Sequence, residues 1–231
     1  VNIRSILLVR VTSSVDKDVD HPQFFDPPYA LKYIQGGLAR YGDLSVRLHD
    51  CWIRPIGLPR LMELTANAEP DLVVVSASSF DIDVADRYAD GLKAQERSPL
   101  VVGIGQGFYP KTGRGGDGAS RYDAILLGEP EEEFFSLFDR IRSAPPKGNG
   151  WIGDYRESFE KGKRFVVEDP DRLAFPTYSP EELEAYRSIF PVRVARRVIW
   201  GYLIATRGCP HGCLFCSEVM RVSTGRRLRC R

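Results

Sequence analysis

The run Asp71-Leu72-Val73-Val74-Val75-Ser76 constrains the fold more than any other stretch of the chain. Its four apolar residues are consecutive, so both faces of the strand they form must be covered. A strand with one face in water alternates apolar with polar residues; one apolar on both faces belongs inside a parallel sheet flanked by helices. Comparable runs recur on either side. Ser5 to Val11 reads as a buried first strand and Leu44 to His49 as an alternating second. Leu100 to Gly103 is a fourth and Ala124 to Gly128 a fifth. Helices fall between them. Pro27-Pro28 opens one from Tyr29 to Tyr41, with Leu31, Ile34, Leu38 and Tyr41 on one face and Gly42 beyond its end. The others are Leu58 to Ala68, Asp81 to Gln95 and Glu131 to Ile141. Strands separated by helices predict an α/β domain over residues 1–143, a doubly wound five-stranded parallel sheet. Ligands of such sheets sit beyond the carboxyl ends of the strands, near the topological switch point.

Those ends carry a consistent signal. The third strand ends Ser76-Ala77-Ser78-Ser79, the fourth Gly103-Ile104-Gly105-Gln106-Gly107 and the fifth Gly128-Glu129-Pro130-Glu131. Glycine lets the backbone approach a ligand and adopt positive φ, and small hydroxyl residues leave room and offer hydrogen bonds. Any one of these glycines is explained by a tight turn; three adjacent ends, all small or polar, predict a ligand. The Gly-rich stretch Gly113 to Gly118 is no phosphate loop, because no Gly-Lys-Ser/Thr follows, and reads as a flexible connection.

Composition excludes several classes of partner. The chain of 231 residues carries a net charge of +1, so no global field draws it to nucleic acid or a membrane surface. Neither a membrane-spanning run nor a signal-like start is present in the sequence given. Of its five cysteines, three fall in one loop, which argues for a reducing, cytoplasmic setting and a metal rather than a disulfide framework. Cys51 reads as a small packing residue.

The three are Cys209, Cys213 and Cys216, spaced C-x3-C-x2-C, directly after the apolar run Tyr202-Leu203-Ile204-Ala205. They are too close for independent structural disulfides and suit a shared metal. Three thiolates on a four-iron cluster leave one iron open to a further ligand. Zinc, with His211 as a fourth ligand, is the alternative.

This loop, with Phe215 before its last cysteine, resembles the signature of radical S-adenosylmethionine enzymes. The resemblance implies that Cys209, Cys213 and Cys216 hold a [4Fe–4S] cluster. Its open iron would chelate S-adenosylmethionine, which one electron splits to a 5′-deoxyadenosyl radical. It further implies a small-molecule substrate and a low-potential electron donor such as a flavodoxin or ferredoxin. Taken together with that loop, residues 3–143 resemble the Rossmann-like cobalamin-binding (B12-binding) domain fused to many such enzymes. Ser76, Ser78, Ser79, Gly103, Gly105, Gln106 and Gly107 would then line the crevice for the nucleotide tail of cobalamin, with Gly128 and Glu129 at the same edge. Many cobalamin proteins carry Asp-x-His-x-x-Gly after the first strand. Here the loop reads Asp18-Val19-Asp20-His21-Pro22-Gln23-Phe24, so His21 is a loop residue and any cobalt would lack a histidine ligand.

From Ser143 the composition turns linker-like, and residues 144–197 read as a linker and leader. Within them Arg164 to Glu168 is a short strand, and Ser179-Pro180-Glu181-Glu182 starts a helix with a serine cap. Val198 to Ala205 is read as the strand feeding the cysteine loop, so that residues 198–231 begin the family's partial (β/α) barrel. That barrel has six units of about 30 residues each. The chain is therefore expected to be the front part of a longer enzyme and inactive alone. The implied reaction is cobalamin-linked methyl transfer, or radical rearrangement or cyclisation. The alternative is a non-catalytic cobalamin- or nucleotide-binding module with a zinc-bound or vestigial cysteine loop.

Overall fold

The computed structural model describes residues 3–13, 27–111, 121–144, 150–189, 203–208 and 229–230. His21, the Gly113–Gly118 stretch and the three clustered cysteines lie outside them. Strands β1 (Ser5–Arg10), β2 (Ser45–Asp50), β3 (Leu72–Ser76), β4 (Leu100–Ile104), β5 (Ala124–Gly128) and β6 (Arg164–Phe165) form one sheet in the order β2-β1-β3-β4-β5-β6. Every neighbouring pair is parallel. The order reverses direction between β1 and β3, which is the switch point.

The apolar runs dictate two cores, one on each face. On β1, Ile6 and Leu8 face one way and Leu7 and Val9 the other; on β3, Leu72 and Val74 oppose Val73 and Val75. Helices α1 (Tyr29–Leu38) and α4 (Glu131–Ser143) cover the first face with Leu31, Ile34, Leu38, Phe134, Leu137, Phe138 and Ile141. Helices α2 (Leu58–Ala68) and α3 (Ile82–Lys93) cover the second with Leu61, Val84, Ala85, Tyr88, Ala89 and Leu92. Each fully buried branched aliphatic contributes about 1.5–3 kcal/mol relative to exposure, so this double layer is the main source of stability. Cys51 is buried in the second core, and burial pushes its thiol up to about 12.

Two expectations are corrected. Among the described residues the sheet has six strands rather than five. The sixth comes from the stretch read as linker, where Leu127 pairs with Arg164 and Gly128 with Phe165. Ile152, Tyr155 and Phe165 join the first core, and α5 (Tyr155–Glu160) packs against β5. Residues 150–173 therefore build on the sheet. The second correction concerns Val198 to Ala205. Its described part, residues 203–205, forms no strand. Pairing begins one residue later, where β7 (Thr206–Arg207) runs antiparallel to β8 (Arg229–Cys230). The rest of residues 198–231, read as the start of the barrel, lies outside the described residues.

The leader helix α6 (Pro180–Ile189) starts as its sequence dictates. The Glu182 amide donates to Ser179 Oγ (3.2 Å) and the Ser179 amide to Glu182 Oε2 (2.8 Å), a reciprocal capping box. Among the described residues, no helix is long and apolar enough to cross a membrane.

Candidate functional site

A cleft of about 310 Å³ opens at the carboxyl ends of the strands, across the switch point. Arg10 enters it from β1, Ser76 to Ser78 from β3, Gly105 and Gln106 from the end of β4, and Gly128 to Glu131 from β5. Tyr29, Trp52 and Tyr109 add aromatic surface, and Arg207 reaches in from β7.

The floor at β1 is an ion pair under aromatic cover. Arg10 donates to both oxygens of Asp50, at 2.7 and 2.6 Å, and its guanidinium lies 4.5 Å from the Trp52 ring. The Tyr186 hydroxyl of α6 donates to Asp50 Oδ2 at 2.8 Å, so the leader closes this corner. Burial and the adjacent Asp50 charge push the Tyr186 phenol well above its ordinary range. Nearby, fully buried Lys32 lies 2.5 Å from Glu182 and 4.8 Å from the Tyr178 ring. Burial outweighs the attraction of Glu182 and lowers the Lys32 ammonium below the usual lysine range.

At the β5 end two glutamates behave differently. Glu129 is buried and turned to the protein: its Oε2 accepts the Val167 amide at 2.8 Å, and its own amide donates to the Phe165 carbonyl. It braces β6. Glu131, first residue of α4, is fully buried; its Oε1 accepts from Arg207 Nη2 at 2.6 Å, while its Oε2 has no hydrogen-bond partner among the described residues. Arg207 also lies 5.4 Å from the Tyr33 ring. The Tyr33 hydroxyl in turn donates to the Ile204 carbonyl (3.1 Å) and lies 3.2 Å from the Ile204 amide as its acceptor. Residues 204–207 are thus fastened to the sheet domain at the rim of the cleft.

Of the expected binding residues, Ser76, Ser78, Gly105, Gln106, Gly128 and Glu129 line the cleft, and Ser79, Gly103 and Gly107 do not. Ser78 Oγ donates to Asp81 Oδ2 at 2.6 Å and accepts the Phe80 amide, so its hydroxyl first serves the turn after β3. The glycines have an internal reason as well. Gly105 has φ +105°, and a Cβ there would stand 2.5 Å from the Ala77 carbonyl oxygen. Gly128 has φ +90°, and a Cβ would collide with the Phe165 carbonyl. Chain approaches chain at both points. Sequence reasoning missed Arg10, Trp52 and Arg207 as cleft residues, and it treated Glu131 only as part of the strand ending. An isolated arginine after an apolar run was the only available hint. Among the described residues, no group of three or more histidine, cysteine or acidic side chains is arranged to hold a metal.

This fold, a parallel α/β sheet, is shared with solved structures of longer proteins. The chain superposes over 99% of its length, with a TM-score of 0.66 and 16% identity, on OxsB, a cobalamin-dependent S-adenosylmethionine radical enzyme determined with aqua-cobalamin and S-adenosylmethionine bound. It superposes equally fully, with a TM-score of 0.62 and 19% identity, on TsrM, a radical S-adenosylmethionine methyltransferase from Kitasatospora setae. An uncharacterized methyltransferase of Pyrococcus horikoshii is 25% identical over 202 residues, 84% of the chain. No family model matches the chain. The chain spans 30% of OxsB, 43% of TsrM and 41% of the Pyrococcus protein, less than half of each. The shared fold is therefore that of one part of these proteins.

Proposed function

We propose that residues 3–173 form a cobalamin-binding module, with the stretch 150–173 included because it supplies β6 and part of the core. The observation that carries this is the position of the cleft: polar and aromatic groups from β1, β3, β4 and β5 converge on it across the switch point, where such sheets take their ligands. The groups present suit the cofactor. Corrin side chains are carboxamides, which both donate and accept hydrogen bonds, and Glu131, a cleft residue, has in Oε2 a buried acceptor without a donor among the described residues. Trp52, Tyr29 and Tyr109 offer flat apolar surface to a macrocycle. Bound cobalamin would supply methyl-transfer or radical chemistry. The protein's part is to bind, orient and exclude water. Retention of hydroxocobalamin by the chain on gel filtration, at one per chain, is the expected result. Elution free of cobalamin at micromolar concentrations would remove this reading.

A second reading concerns the longer protein. Arg207, held in the cleft wall, precedes Cys209 by two residues, a length of chain that reaches about 7 Å at most. A cluster held by Cys209, Cys213 and Cys216 would bind S-adenosylmethionine and supply radical chemistry to that protein. Two of the related proteins are named methyltransferases, which favours methyl transfer to a small molecule over rearrangement. Anaerobic reconstitution tests this. Iron and sulfide bound by the chain and lost in Cys213→Ala support the cluster; zinc alone supports a purely binding role.

A further inference from the structure

One atom at the cleft is out of keeping with its surroundings. The other carboxylates nearby are engaged by protein donors. Asp50 is held by Arg10, Trp52 and Tyr186, Asp81 by Ser13 and Ser78, and Glu129 by Val167. Glu131 is as deeply buried as any of them, yet only its Oε1 is taken. A buried carboxylate oxygen left without a donor is costly, and native proteins seldom leave one so. A carboxylate can only accept, so whatever completes it must bring an N–H or O–H group. The cation paired with it, Arg207, is already committed to Oε1 at 2.6 Å. Glu131 thus lines the cleft with one buried oxygen unmatched and, with the other, holds the segment that leads into Cys209.

We propose that Glu131 is the ligand-facing acceptor of the cleft and, through Arg207, the link between ligand seating and the docking of residues 203–208. This rests on the cobalamin reading and assigns a specific contact within it. A neutral donor, such as a carboxamide N–H of the corrin rim or a hydroxyl of the nucleotide tail, completes Oε2; a phosphate oxygen there meets like charge. Ligand binding and docking share one side chain, so each favours the other by the same factor. Arg207 acts as a positioning residue. It sets where the chain leaves the sheet domain without itself supplying the donor.

The test uses the 231-residue chain with hydroxocobalamin and with cobinamide, which keeps the corrin amides but lacks the nucleotide tail. Glu131→Gln keeps the shape and offers one carbonyl oxygen where two carboxylate oxygens stood. It is expected to weaken hydroxocobalamin binding about tenfold or more, the usual scale for a lost charge-assisted bond. Glu132→Gln, the same charge change in the same helical turn, should leave binding within about twofold. If cobinamide shows the same loss, the donor is a corrin amide; if it shows none, the donor is on the nucleotide tail. Independently of any variant, saturating hydroxocobalamin should slow hydrogen exchange at the Ile204 amide, which the Tyr33 hydroxyl holds. Equal affinity of wild type and Glu131→Gln for both ligands overturns the proposal. So does an equal loss in Glu132→Gln, or Ile204 exchange indifferent to saturation. Wild type that binds neither corrinoid overturns the cobalamin reading itself, a separate and recognisable failure.

Discussion

The two ends of the sheet are built to opposite rules. At the amino ends of the strands, acidic groups are fully used. Asp123 is completely buried and accepts from Lys93 Nζ (2.6 Å), the Val101 amide (2.6 Å) and the Gly150 amide (3.3 Å). Asp71 accepts from the amides of Arg4 and Ser5 and from Arg97. These residues tie strand to strand and leave no acceptor open. At the carboxyl ends the charges surround a cleft, and Glu131 Oε2 has no hydrogen-bond partner among the described residues. One end matches its acceptors fully, and the other leaves this one unmatched.

The sharpest break with that contrast comes from Asp123→Ala. It strips a partner from Lys93 and an acceptor from the Val101 amide. A cost of about 3 kcal/mol is expected, at the low end for a broken buried pair because Lys93 keeps the Pro99 carbonyl at 3.2 Å. Urea denaturation should record the loss, while the folded fraction binds hydroxocobalamin unchanged; weakened intrinsic binding would show that the ends are not independent. Gly128→Ala should cost about 1–3 kcal/mol through positive φ, and more where the methyl meets Phe165. Faster hydrogen exchange at the Val167 amide should accompany it, and unchanged exchange there would sever β6 from the β5 turn. Tyr33→Phe removes the hydroxyl that holds Ile204, for about 1 kcal/mol. The effect should be local, seen as faster exchange over residues 203–208 with the thermal midpoint nearly constant; a large drop in midpoint would mean that docking supports the whole fold. The smallest effect belongs to His49 on β2. Burial lowers its pKa below the ordinary 6.5. Between the folded and unfolded values the unfolded chain binds the proton more readily, so stability declines as pH falls below about 6.5. His49→Gln should flatten that limb of a plot of thermal midpoint against pH, and an unaltered limb would assign it to carboxylates.

The sheet was legible in the sequence because its strands are buried on both faces, and runs such as Leu72 to Val75 admit no other placement. Helix starts were legible where capping chemistry is local, as at Ser179 and Glu182. β6 was not. Arg164-Phe165 is two residues long with one apolar side chain, and only its pairing with Leu127 and Gly128 makes it part of the sheet. Six of the nine strand-end residues lie along the cleft, and their roles depend on contacts made across the fold. Gly105 and Gly128 read as room for a ligand, whereas the nearest atoms to their missing side chains belong to Ala77 and Phe165. Glu131 and Arg207 stand 76 positions apart, and no pattern in the sequence couples them. Buried Lys32 was equally hidden, since a lysine on an amphipathic helix ordinarily faces water.

The brevity of β6 has a consequence for assembly. A parallel sheet that ends on a long, flat outer strand offers its unpaired amides and carbonyls to any neighbouring chain. Here that border is two residues wide, and Lys163 and Arg164, both exposed, stand at it. Another molecule trying to extend the sheet there finds almost no template and two positive charges. The chain that completes the core on this side also blunts it against fibrous growth.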